Sequence, residues 1–106
     1  MEVQQELVKS WQVIKVIGEI DSKTVTTLRE FIDEELVRDK AIALDLTKVP
    51  FMSSAGLRTL LTLQRKTSTM KVDLALIGVA AEIQDTMKVT GFLQYFKLYN
   101  SVDSLP

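Results

Sequence analysis

The spacing of apolar positions changes several times along the chain, and each change predicts an element. Val3 to Val8 and Trp11 to Ile20 are rich in β-branched and apolar residues and are separated only by Lys9 and Ser10, so they read as an antiparallel strand pair with the first strand at an edge. From Thr24 the period lengthens. Val25, Leu28, Ile32 and Leu36 fall on one helical face, with Arg29, Asp33 and Arg38 elsewhere on the surface, and Asp21 or Ser22 is placed to cap that helix. "AIALDL" at 41–46 is a short apolar strand, and Leu57, Leu60 and Leu61 mark a second helix from about Ser54 into "RKTST". "KVDLALIGV" is another buried strand. Ala80 to Val89 forms a third helix with Ile83 and Met87 inward and Gly91 as its stop, and "YFKLYN" is the last strand before a short "SVDSLP" segment.

The order β, β-α, β-α, β-α, β contains three strand-helix-strand crossovers. It predicts an α/β domain with a five-stranded mixed, largely parallel sheet, an N-terminal hairpin and three main crossover helices. No internal repeat, low-complexity tract or linker interrupts residues 1–106, which read as a single domain.

Composition removes several functions. The chain has no cysteine and no histidine, which excludes thiolate catalysis, zinc-thiolate sites and a Ser-His-Asp triad within it, and leaves only oxygen ligands for a metal. With 46% hydrophobic and 25% charged residues it resembles an ordinary globular protein. A net charge of −1, with the two signs scattered, offers no footprint for nucleic acid or for an anionic membrane, so a protein partner is expected. The longest apolar run, Leu74 to Ala81, is far short of the roughly 20 residues of a membrane span. "MEVQQEL" does not read as a signal peptide, and a cytoplasmic location is expected.

The chemistry concentrates in "LDLTKVPFMSSAGLRTLLTLQ", where a strand stops near a proline and two serines open a helix. In open α/β folds, function gathers where strand carboxyl ends meet the following helix amino ends. One serine can cap the helix. A phosphate on a helix-opening serine would also face free N–H groups and the positive end of the helix dipole, so capping and phosphorylation are compatible. A nucleophilic serine lacks both the Gly-x-Ser-x-Gly elbow and a histidine base, and the four glycines are too dispersed for a phosphate loop.

These residues, with "IGEID" at 17–21 and the order of elements, resemble the STAS domains of anti-sigma factor antagonists over essentially the whole chain. In that family a strand ending Asp-Leu-Ser/Thr leads through Phe/Tyr-Met into Asp-Ser-Ser/Thr-Gly-Leu, whose first serine is phosphorylated. Asp45, Leu46 and Thr47 match the strand end, Phe51 and Met52 the pair, Ser54 the phosphorylated serine, and Gly56 and Leu57 the close of the motif. Ser53 stands where the family has aspartate, and Ala55 where it has serine or threonine. The resemblance implies a bacterial partner switch. The unphosphorylated chain captures an anti-sigma factor serine kinase and frees a sigma factor, phosphorylation of Ser54 releases the kinase, and a metal-dependent phosphoserine phosphatase resets the cycle. It further implies a partner surface of Asp21, Met52, Ser53, Ser54, Ala55 and Gly56. ATP and magnesium belong to the kinase; the chain itself would be no enzyme and would need no cofactor.

Two rivals stay open. "ALDLTKVPFMSSAG" has the acidic residue, proline and glycine of a response-regulator receiver with Asp45 as phosphoacceptor, although the region after the first strand, where a receiver needs further carboxylates to hold magnesium, reads as a hairpin with no adjacent acidic pair. The same fold also serves as a scaffold or transporter-associated subunit that is never phosphorylated. Asp45 itself is expected to face solvent or to hydrogen-bond the loop leading to Ser53. Trp11, Phe31, Phe51, Phe92 and Phe96 are expected in the core or packed on the sheet, while Met52, Val89 and Leu93 are candidates for an exposed apolar patch beside Ser54.

Overall fold

A computed structural model describes residues 1–35 and 40–106; the expectations for Leu36 and Arg38 lie outside the described residues. β1 (Glu2–Val8) and β2 (Trp11–Ile17) pair antiparallel, followed by α1 (Val25–Glu35), β3 (Ala41–Lys48), α2 (Ser54–Met70), β4 (Leu74–Ile77), α3 (Ala81–Val89) and β5 (Lys97–Tyr99). The strands lie in the order β1-β2-β3-β4-β5, and every pair after the hairpin is parallel. The predicted mixed sheet is therefore the observed one, with β1 at an edge.

Sequential strand order has a physical consequence. Right-handed crossovers that always step in the same direction put every helix on the same face of the sheet. The main core shows that arrangement: Ile14, Val16, Ile42, Leu44, Leu74 and Leu76 from the strands pack with Leu28 and Ile32 of α1, Leu57, Leu60 and Leu63 of α2, and Ile83 and Met87 of α3. Alternation sends Trp11, Val13, Ala43, Ala75 and Ile77 to the opposite face. Among the described residues no helix covers them there. Instead the segment read only as a terminal tail folds back, with Leu105 buried against Trp11 and Val13, the indole N–H donating to the Pro106 carbonyl at 2.9 Å, and the Lys9 ammonium donating to the Leu105 carbonyl at 2.7 Å.

Some boundaries differ from the periodicity, and β4 is confined to Leu74–Ile77 within the run at 71–79. β2 ends at Ile17 rather than continuing to Ile20, because its register with β3 shifts between Lys15 and Ile17 and Gly18, at φ +113°, turns the chain out of the ladder. Short 3-10 turns at Leu93–Tyr95 and Val102–Ser104 have no counterpart in the apolar pattern. α3 stops as predicted, with the Gly91 N–H bonded to the Lys88 carbonyl and the Phe92 N–H to the Met87 carbonyl. One buried polar side chain was also illegible: Gln12 is fully enclosed and donates to the carbonyl of Glu35 at the end of α1.

Candidate functional site

Beyond Gly18 the chain after β2 runs beside the chain after β3. The Ile20 N–H donates to the Phe51 carbonyl at 3.0 Å, and the Ser53 N–H donates to the Ile20 carbonyl at 2.8 Å. Ile20 and Met52 form an isolated parallel bridge, both with buried side chains. These contacts hold the loop entering α1 against the loop entering α2, so Asp21 and the serine pair share one rim at the carboxyl ends of β2 and β3. Gly56 permits the close approach. A Cβ on it would lie 2.6 Å from Met52 Cγ and 2.8 Å from Ile20 Cγ2, too near for any other residue unless the loop gave way.

The two serines have different roles. Ser53 is the N-cap of α2, with extended backbone (φ −79°, ψ 173°); its hydroxyl accepts from the Gly56 N–H at 3.4 Å and its carbonyl accepts from the Leu57 N–H at 3.0 Å. Ser54 is the first residue inside the helix and is exposed. Among the described residues its hydroxyl has no hydrogen-bond partner and the N–H groups of Ser54 and Ala55 have no acceptor, as the opening turn of a helix requires. A free hydroxyl at the positive end of a helix of 17 residues suits an added anionic group.

Asp21 faces its own helix. Its carboxylate accepts from the Lys23 N–H at 2.9 Å and the Thr24 N–H at 3.0 Å, while the Asp21 N–H donates to the Thr24 hydroxyl at 2.9 Å, a reciprocal box at the head of α1. The bonds from Thr24 and Lys23 favour the ionised form and lower the Asp21 pKa from its ordinary value. The capping role weighed for Asp21 is therefore the one its carboxylate performs, on the same rim as Ser54.

The other residues divide by exposure. Met52 (7% exposed) and Gly56 are buried and offer no side-chain surface, since their positions are taken up by the packing of α2 on Ile20; Ala55 and Ser53 are half-buried. The expectation of a core position for Phe51 is corrected. It is 50% exposed because the bridge at Met52 turns one member of the Phe-Met pair inward and its neighbour outward. Trp11 and Phe96 are buried, and Phe31 and Phe92 pack partly on the core. Val89 is 88% exposed at the end of α3, and Leu93 is half-buried. Strand alternation before a bridged loop was the signal that could have found Phe51.

Asp45 lies on the helix-free face, half-buried, and accepts from the Thr47 N–H at 3.0 Å and the Thr47 hydroxyl at 2.5 Å. It braces the end of β3 and does not reach the loop at Ser53. Among the described residues no three carboxylates converge as a magnesium-dependent receiver would require, and no helix is long and apolar enough to cross a membrane.

Comparison with known proteins agrees with the architecture. The sequence model of the STAS domain matches residues 2–105, and the chain belongs to the STAS domain family. Over 63 residues it is 29% identical to BtrV of Bordetella bronchiseptica, named as an anti-sigma factor antagonist; the match covers 59% of this chain and about half, 54%, of that relative. It is similar to an anti-sigma factor antagonist from Mycobacterium paratuberculosis, with 25% identity and a TM-score of 0.84 over 96% of this chain and 87% of the other. Two further structures share the fold. One is the phosphorylated form of the Bacillus cell fate determinant SpoIIAA, with a TM-score of 0.65 and 17% identity over 97% of this chain and 96% of the other. The other is a sulfate transporter family protein from Wolinella succinogenes, with a TM-score of 0.77 and 16% identity over 92% of this chain and 83% of the other.

Proposed function

We propose that residues 1–106 act as one STAS domain in the bacterial cytoplasm, as an anti-sigma factor antagonist switched by phosphorylation of Ser54. The observation that carries this reading is the exposed, unbonded hydroxyl of Ser54 at the first position of α2, on a rim that two loops hold in place. The unphosphorylated rim captures a kinase-type anti-sigma factor. The kinase transfers the γ-phosphoryl group of its magnesium-bound ATP to the Ser54 oxygen, ADP leaves, and the new charge releases the kinase. A metal-dependent phosphatase hydrolyses the ester and restores the hydroxyl. The chain is substrate and binding module in this cycle, and its own residues carry out no catalysis.

Ser53, Ser54, Ala55 and Phe51 supply the contact surface, while Met52, Gly56 and Asp21 hold its shape. The two antagonists similar in sequence, together with a structural relative named in a phosphorylated form, support this reading. The fold shared with a sulfate transporter family protein keeps a second reading in play, a scaffold that is never phosphorylated. The deciding experiment incubates the protein with a purified kinase-type anti-sigma factor of the same cell and ATP, then maps the phosphate. Phosphoserine at 54 is expected. Modification confined to Ser53, or none by a kinase shown to be active, would favour the scaffold; an acyl phosphate on Asp45 would revive the receiver.

A further inference from the structure

A groove of about 480 Å³ runs between α1 and α2 and reaches Ala55, the residue after Ser54. Its floor includes Ile32 and Leu63, both buried, and its walls carry Arg29, Arg58, Lys66 and Asp33. Lys66 and Asp33 pair across it at 3.4 Å. Arg29 and Arg58 have no ion-pair partner among the described residues, so the groove holds two uncompensated guanidinium groups in a chain whose net charge is −1.

Helical geometry sets where Arg58 can reach. At 3.6 residues per turn, Ser54 and Arg58 are separated by about 40° around the α2 axis and about 6 Å along it. Ala55, Thr59, Thr62 and Leu63, which also line the groove, lie farther round in the same direction. Arg58 therefore occupies the edge of the groove nearest Ser54, and its long side chain can lie over the groove or along the helix toward that serine.

Building on the reading of Ser54 as the phosphorylated residue, we infer that Arg58 is the intramolecular partner of the phosphate. A phosphoserine carries close to two negative charges and three acceptor oxygens, and a guanidinium one turn along the same face can bind two of those oxygens side by side. Phosphorylation then changes the surface twice: it adds an anion at the rim and withdraws a cation from the groove. A partner segment that uses the Arg58 charge loses it at the moment the phosphate arrives. Release is thus built into this chain rather than left to repulsion by the phosphate alone.

The test installs phosphoserine at position 54 of the full chain during translation, so the outcome does not depend on any kinase. Phosphorus NMR then gives the second pKa of the phosphate at low salt. The charged groups lining the groove are Arg58 and Lys66 on α2 and Arg29 and Asp33 on α1, with Asp21 at the head of α1 on the rim of Ser54; all but the substituted one are constant across the series. Arg58→Gln should raise that pKa by about half a unit, because the dianion loses its nearest counter-charge. Arg58→Lys should restore part of the difference, and Arg29→Gln should leave the value unchanged. Equal values in wild type and Arg58→Gln, or an equal displacement by Arg29→Gln, would overturn the assignment. Failure of a kinase to modify Ser54 would count against the switch and leave this measurement intact.

Discussion

The backbone N–H of Ser53 donates to the carbonyl of Ile20 at 2.8 Å, joining residues that lie in different strand-to-helix loops. That bond fixes where α2 begins. It leaves the Ser53 hydroxyl free to cap the helix and carries Ser54 to the exposed side, so the different surroundings of the two serines follow from a single contact.

Gly56→Ala tests how tightly that arrangement is packed. The added methyl would meet Met52 and Ile20 inside 3 Å. Overpacking of this kind costs about 1–3 kcal/mol, more than the roughly 0.5–1 kcal/mol that alanine gains over glycine within a helix. Urea denaturation should therefore show a net loss of stability. An unchanged or higher midpoint would mean that the two loops are not held against α2 as described.

Ser53→Ala removes the N-cap acceptor and should lower stability by about 0.5–1 kcal/mol, toward the small end because the bond to Gly56 is long at 3.4 Å. Ser53→Asp should equal or exceed wild type in the same denaturation experiment, since a carboxylate caps and also favours the helix dipole. A destabilised aspartate variant would mean that position 53 has no room for the residue the family usually carries there.

At Ser54 stability and binding should move in opposite directions. Ser54→Asp places a charge in the first turn of α2 and should raise stability by about 0.3–1 kcal/mol at low ionic strength. Calorimetry with the purified kinase-type partner should show weaker capture by Ser54→Asp and undiminished capture by Ser54→Ala. Equal affinity of all three proteins would favour the scaffold.

Asp21 gives a pH signature. Its folded pKa is lowered chiefly by the Thr24 and Lys23 N–H bonds, so its contribution is fully present above the unfolded carboxylate value of about 4 and is lost as pH falls through the folded value. Asp21→Asn keeps an acceptor for the cap but removes the charge. Its thermal midpoint should lie below wild type at neutral pH, and the two should converge in acid. Midpoints that differ by the same amount at every pH would show that the charge contributes nothing at this helix start.

Leu105→Ala addresses the helix-free face. Deleting that buried side chain should cost about 2–4 kcal/mol and expose the neighbouring indole. Trp11 is the only tryptophan and is buried beside Leu105, so its emission should shift to the red in the folded variant. An unmoved spectrum would mean that the last residues do not cover Trp11.

Much of this protein is set by local patterns that act over a few residues. Alternation and helical spacing were enough to predict five strands and three helices in order, and Gly91 stops α3 through bonds made within a few positions. The resemblance of residues 44–57 to the STAS motif also rests on adjacent residues. Tertiary structure decided whatever depends on a neighbour distant in sequence. Phe51 turns outward and Met52 inward because Ile20 bridges to Met52 from another loop; Gln12 is buried because the end of α1 comes to meet it; and Leu105 becomes core because all three helices crowd onto the opposite face of the sheet. Arg58 borders a groove only because α1 packs beside α2. A side chain's exposure is set by what packs over it, and periodicity along one segment carries no record of which other segment that is.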